Sequence, residues 1–105
     1  MRGGMNEIIR RVEDGLAEFE QRRRVLAQFP LSVRYPDCPP ELVLALADLF
    51  PASSDTYRII VDGRVVDDQD LHAFSGDQGV EVEICYIDPP SEEVMEITQF
   101  MRRFS

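Results

Sequence analysis

The chain has 105 residues, 44% of them apolar, and a formal net charge of −9 from 20 acidic residues against 11 arginines and no lysine. This length predicts one domain with its own core. The excess of acid disfavours nucleic acid and anionic lipid as partners, because basic side chains bind their phosphates, and it favours a basic protein partner. No apolar run is long enough for a membrane span, and the first residues lack the apolar segment of a signal peptide, so we expect a cytoplasmic protein without a membrane partner.

The negative charge is concentrated in the middle of the chain. Residues 30–90 contain three arginines and twelve acids, whereas residues 1–29 and 91–105 have net charges of +1 and −1. Such a surface either keeps a small protein soluble or binds a basic partner. For the second alternative, the expected contact residues are the acids of a polar turn and of the last strand, namely Asp67, Asp68, Asp70, Glu81 and Glu83.

Apolar residues recur at helical spacing near both ends of the chain. The first set predicts a helix over residues 6–20 and consists of Met5, Ile8, Ile9, Val12, Leu16 and Phe19. The second set predicts a terminal helix after Pro90 and consists of Val94, Ile97, Met101 and Phe104. These two stripes exceed the area that one face of a small sheet covers, so we expect a homodimer through the end helices, with Leu16, Phe19 and Met101 in the contact. Alternatively, the two helices pack on each other and on the sheet edge.

Two β-rich segments give the strongest local signals. Asp62-Gly63 separates two β-branched runs and predicts a hairpin with a type I′ turn, because both central residues of that turn need positive φ. The run from Val80 to Ile87 alternates apolar and polar residues, which is typical of a strand with one buried face. Between them, residues 67–74 predict a short turn of helix with Leu71 and Phe74 in the core.

Prolines mark the boundaries of the segment before the hairpin. Residues 31–35 alternate as a strand, and Asp37 or Cys38 is the expected N-cap of a buried helix from Leu42 to Phe50 that Pro51 ends. Residues 21–29 fit a helix or a strand, because periodicity does not decide so short a run.

Three features could carry chemistry. Cys38 lies at a predicted helix N-terminus, where the dipole lowers the pKa of a thiol, so it is a structural residue or, as the less favoured alternative, a reactive thiol. His72 has no partner suited to acid–base catalysis nearby in the sequence. The run from Asp67 to Asp70 lacks the glycine and distal glutamate of a calcium loop. We therefore expect no enzyme activity, no metal and no cofactor.

The predicted order of strand, buried helix, hairpin and last strand is that of a β-grasp. Residues from Leu42 to Ile87 resemble the ubiquitin-like sulfur carriers, including the molybdopterin-synthase small subunit and the thiamine-pathway carrier. Three segments carry the resemblance: Asp48-Leu49-Phe50-Pro51, Ile60-Val61-Asp62-Gly63-Arg64-Val65-Val66-Asp67 and Gly76-Asp77-Gln78-Gly79-Val80-Glu81-Val82. The resemblance implies an α+β domain with a ubiquitin-like β-grasp core over residues 23–88 and its first strand within residues 23–29. The amphipathic helices predicted from periodicity, over residues 1–22 and 89–105, flank this core. The carriers work through a C-terminal Gly-Gly, whereas this sequence ends Arg102-Arg103-Phe104-Ser105.

The expected function is that of a non-enzymatic acidic interaction module, either an adaptor or an accessory subunit. Two alternatives stay open. One is a ubiquitin-like carrier or substrate of a ubiquitin-activating-type enzyme, which adenylation of the C-terminus would favour. The other is an acidic inhibitor of a nucleic-acid-binding protein, which salt-sensitive binding to a basic nuclease would favour.

Overall fold

A computed structural model describes residues 17–104, which form an α+β unit around one antiparallel sheet of four strands. In chain order the elements are α1 (residues 17–28 of the described range), β1 (Leu31–Cys38), α2 (Pro40–Leu49), β2 (Tyr57–Val61), β3 (Arg64–Val65), α3 (Asp68–His72), β4 (Val80–Tyr86) and α4 (Glu92–Phe104). Within residues 17–104, no helix is both long and apolar enough to cross a bilayer.

The strands lie in the order β1-β4-β2-β3, and helices cover both faces of the sheet. On one face, Ile59 and Ile84 belong to the main core, together with buried residues of α2, α3 and α4. On the other face, Val25 and Phe29 of α1 form a second cluster with Cys85 of β4. Strand β4 is therefore buried on both sides, whereas its alternation predicts only one buried face.

The hairpin predicted at Asp62-Gly63 is confirmed. Asp62 has a φ of 51° and Gly63 a φ of 78°, and Val61 pairs with Arg64 across the two-residue turn. The Asp62 carboxylate oxygen Oδ1 also accepts a hydrogen bond from the backbone N–H of Glu81 at 2.9 Å. This bond ties the turn to the start of β4.

We expect Gly63→Val to lower the free energy of unfolding by more than about 1 kcal/mol, because a β-branched residue tolerates positive φ poorly. A Cβ at this position meets no atom within 4 Å, so the cost comes from the backbone conformation and not from a clash. Gly63→Asn is the control, since asparagine adopts this conformation more readily. Urea unfolding of the two variants measures the difference, and equal stabilities would contradict the explanation.

Strand β1 continues further than predicted, through Pro36 to Cys38. Its register with β4 shifts between Tyr35 and Cys38, and Asp37 takes a φ of 55° at this irregularity. Helix α2 then starts at Pro40, with Pro39 as an N-cap that has no side-chain hydrogen bond. The prediction that Asp37 or Cys38 caps this helix is therefore wrong, because both residues still belong to the strand.

The ambiguous stretch at residues 21–29 is helical up to residue 28. The predicted boundary between the N-terminal helix and the core, at residues 22 and 23, consequently falls inside α1. The first strand within the described residues is β1, which starts at Leu31 and pairs antiparallel with β4. A strand within residues 23–29 is not formed, and a β-grasp core is not confirmed.

The terminal helix predicted from Val94, Ile97, Met101 and Phe104 corresponds to α4. The first three of these side chains lie in the main core, and Met101 is only 2% exposed. Met101 is therefore not available for the predicted contact with a second copy, because the fold has already buried it. The short helix α3 is also confirmed, with Leu71 buried and Phe74 packed against the core.

Candidate interaction surface

Several carboxylates meet where the β2–β3 turn, α3 and the start of β4 lie side by side. Asp62 and Asp70 line one groove of about 340 Å³, which also contains Arg64 and Phe74. Glu81 adjoins this groove through its backbone bond to Asp62. We call this region the acidic end and define it by Asp62, Asp67, Asp68, Asp70 and Glu81.

Hydrogen bonds to the backbone hold the α3 carboxylates in place. Asp67 accepts from the N–H of Asp70 at 2.8 Å, and Asp70 accepts in return from the N–H of Asp67 at 3.2 Å, which forms a capping box. Asp68 accepts from the N–H of Ala52 at 2.6 Å. All three residues nevertheless remain exposed, so their charges are preorganised and accessible to a partner.

Two of the three arginines of the middle segment form ion pairs with acids. Arg64 forms an ion pair with Glu18 of α1, with Nε and Oε1 3.0 Å apart. Arg34 is bound to Glu83 on the face under α1. Arg58 is half-buried and lines a cavity together with Arg24, Asp67 and Asp70. The five carboxylates of the acidic end therefore outnumber the three arginines beside them, Arg24, Arg58 and Arg64.

Four of the five acids predicted for partner binding fall in the acidic end, and Glu83 does not. The predicted Asp67, Asp68, Asp70 and Glu81 are brought together there, although Glu81 is half-buried. Asp62 is an additional member that charge counting alone did not single out. Its position at a two-residue turn, which projects from the sheet, was the available signal.

Glu83 is 2% exposed and lies beneath α1. Arg22 donates to both carboxylate oxygens at 3.2 Å, and Arg34 donates to one of them at 3.2 Å. Burial alone would raise the pKa of the Glu83 carboxyl, but hydrogen bonds from Arg22, Ser32 and Arg34 outweigh it and hold that pKa below its ordinary value. The prediction that Glu83 contacts a partner is therefore wrong for this fold, because its charge is already used to attach α1 to the sheet.

The remaining residues predicted to contact a partner are Leu16, Phe19 and Met101. Phe19 is 63% exposed on α1, as a contact with another molecule requires. Met101 is buried in the core, and Leu16 lies outside the described residues. The exposed apolar side chains are otherwise scattered over several elements and include Leu31, Leu44, Leu49, Met95 and Phe104.

The two cysteines are buried, whereas the histidine is exposed. The Cys38 thiol is buried and donates to the backbone oxygen of Tyr35 at 3.2 Å. Burial raises its pKa, and burial likewise raises the pKa of the Cys85 thiol to about 11. His72 is exposed, with Nδ1 3.9 Å from an oxygen of Asp48. Because burial raises the pKa of both cysteine thiols, the thiolate that acts as a nucleophile is disfavoured at Cys38 and at Cys85.

No group of three or more His, Cys, Asp and Glu side chains suited to a metal ion occurs within residues 17–104. Comparison of the chain with protein-family models, with curated proteins and with solved structures gave no match. The interpretation of the acidic end therefore depends on its geometry and charge alone.

Proposed function

We propose that the protein is a non-enzymatic interaction module that binds a basic protein segment at its acidic end. The observation that supports this most directly is the combination of fixed position and exposure. Asp62, Asp67 and Asp70 are held by backbone hydrogen bonds while remaining exposed. A binding site that is already ordered loses less conformational entropy when its partner arrives.

The chemistry of the expected partner follows from the groove. The carboxylates are complementary to arginine and lysine side chains, and arginine can bind a carboxylate through two parallel hydrogen bonds. Phe74 and the half-buried Val65 and Val66 in the same groove offer apolar contact for the stems of long basic side chains. We therefore expect a peptide that is rich in arginine to bind better than one rich in lysine.

A fluorescently labelled arginine-rich peptide tests this function. Its affinity is measured by anisotropy for the natural chain and for the triple variant Asp62→Asn, Asp67→Asn, Glu81→Gln. The two asparagines retain the oxygen acceptors that the turn and the α3 cap require, so the charge is removed without removing those bonds. We expect binding about tenfold weaker, equivalent to about 1.4 kcal/mol, and a smaller dependence on salt.

The matched control is the triple variant Asp55→Asn, Glu92→Gln, Glu96→Gln. These three acids are exposed. Asp55 precedes the start of β2, at the end of the strand opposite the Asp62 turn, and the two glutamates lie on α4, so the control loses the same charge at other positions. We expect its affinity to stay within about threefold of that of the natural chain, because exposed charges farther than a Debye length are screened. Equal weakening by both triple variants, or the absence of binding to the natural chain, would contradict the proposal.

We also propose a relationship between residues 42–87 and the ubiquitin-like sulfur carriers. The order of α2, the β2–β3 hairpin, α3 and β4, with β4 beside β2, supports it. This relationship concerns the fold, and it does not carry the sulfur chemistry of those carriers to this chain.

A further inference from the structure

Among residues 17–104, strand β1 forms one edge of the sheet, and the hydrogen bonds of β4 show which backbone groups of β1 point away from the sheet. Asp62 N donates to Glu81 O at 2.8 Å, and Ile87 N donates to Thr56 O at 3.4 Å. The odd-numbered residues of β4 therefore direct their backbone groups toward β2. Because these groups alternate along an antiparallel strand, residues 82, 84 and 86 direct theirs toward β1.

The partners of those three residues on β1 are Leu31, Val33 and Tyr35. It follows that Ser32 and Arg34 point their backbone N–H and C=O groups away from the sheet. The opposite edge strand, β3, has only two residues. Strand β1 is therefore the longer edge, and within the described part of the chain its outward backbone groups have no hydrogen-bond partner.

From this arrangement we propose that two copies of the chain pair through β1, antiparallel and centred on Val33, to form a continuous sheet of eight strands. In that register Ser32 of one copy lies opposite Arg34 of the other, so their outward backbone groups form mutual hydrogen bonds. Residues 30 and 36 lie opposite each other in the same way, and both are proline. Each strand thus lacks the N–H donor at the same two places, and pairing stops symmetrically on both sides.

The side chains also match under this symmetry. Val33 lies opposite Val33 of the partner copy, and Leu31 lies opposite Tyr35, on the face of the sheet that carries the main core. Leu31 is 39% exposed and Val33 half-buried in the single chain. Directly opposed residues in such pairs bring their Cβ atoms to about 5 Å, close enough for apolar contact.

The distribution of charge favours β1 over β3 as the strand through which two copies pair. Arg34 lies opposite Ser32 and not opposite a second arginine, and it forms an ion pair with Glu83 of its own chain. Apart from Glu81 on β4, the acidic end lies at the β2–β3 turn and α3, at the side of the sheet opposite β1. Two copies that meet at β1 therefore keep their most negative regions apart, which limits repulsion between two chains of charge −9.

Cross-linking through Val33→Cys is the first test. Across the twofold axis the two introduced thiols lie within the range that a disulfide needs, and the natural Cys38 and Cys85 are buried. Mild oxidation should convert most of the Val33→Cys protein to a covalent dimer on a non-reducing gel. Leu44→Cys is the control, since Leu44 is 39% exposed on α2, and it should remain mostly monomeric. Equal cross-linking of the two variants would indicate random collision and overturn the proposal.

Charge exchange at the same position is the second test. Val33→Glu and Val33→Arg should each sediment as a monomer at about 100 µM, because like charges would face each other across the axis. A mixture of the two variants should restore the dimer, and circular dichroism verifies that each variant is folded. A natural chain that stays monomeric up to about 500 µM would overturn the proposal. If Val33→Glu and Val33→Arg each still formed a dimer, the proposal would also be overturned, because the contact between the copies would then lie outside β1.

Discussion

Replacing Glu83 with glutamine should lower the free energy of unfolding by about 2 kcal/mol, since it leaves two guanidinium groups without their buried counter-charge. The Glu83 side chain is 2% exposed, whereas Arg22 and Arg34 are 26% and 57% exposed. Solvation of the arginines keeps the loss below that of a fully buried pair. Because Arg22 belongs to α1, the variant should also weaken the attachment of this helix to the sheet, seen as faster amide exchange in β4.

Glu81→Gln is the matched control for this substitution. Glu81 lies two residues away on the same strand and points to the same side, but it is less buried than Glu83. Its replacement should change the free energy of unfolding by less than about 0.5 kcal/mol. Similar losses for the two variants in urea unfolding would contradict the role assigned to the Glu83 carboxylate.

The contribution of the Glu83 carboxylate to stability should decrease at acidic pH. The pKa of Glu83 is lower in the folded protein than its ordinary value, so the carboxylate contributes stability at any pH above its pKa in the unfolded chain. That contribution is lost as the pH falls through the lowered folded-state pKa. The difference in stability between the natural chain and Glu83→Gln should therefore be constant from about pH 5 to about pH 7 and shrink below about pH 4.

Truncating Ile97 to alanine should lower the free energy of unfolding by about 3 kcal/mol. Ile97 is 0% exposed and lies in the main core with Val94 and Met101. Removing buried methyl and methylene groups loses their transfer free energy and leaves a cavity, which together cost about 2–5 kcal/mol for an isoleucine. Thermal or urea unfolding measures the loss, and it tests whether α4 belongs to the core.

Phe104→Ala on the same helix is the control. Phe104 is 53% exposed, although its ring packs at a tilt of 51° against Phe100 with centroids 5.0 Å apart. We expect a loss below about 1 kcal/mol, because little apolar area is returned to water. If Ile97→Ala were as stable as the natural chain, the apolar face of α4 would be available for assembly, as the predicted dimer through the end helices requires.

The elements that the sequence predicts correctly depend on local interactions. The turn at Asp62-Gly63 requires positive φ at two successive residues, and few residue pairs accept it. The helical spacing of Val94, Ile97 and Met101 requires a helix with one apolar face. In each case the determining residues lie close together in the chain, so the pattern is visible without knowledge of the fold.

The candidate surface was predictable in part for a related reason. Asp67, Asp68 and Asp70 are neighbours in the sequence, so their grouping follows from the chain itself. The presence of Asp62 and Glu81 beside them depends on the pairing of β2 with β4, which joins residues 19 positions apart. The number of acidic residues in a segment does not predict this pairing of strands.

Local sequence patterns are thus sufficient to predict the hairpin, the apolar faces of α2 and α4 and the excess of acid in the middle of the chain. The exposure of each side chain depends instead on tertiary packing. Glu83 lies at a position of the alternating β4 pattern that is typical of a solvent-facing residue, yet α1 covers it. Its ion-pair partners Arg22 and Arg34 lie 61 and 49 positions away in the sequence. Periodicity reports the direction in which a side chain points, whereas burial depends on what packs over that side from a distant part of the chain.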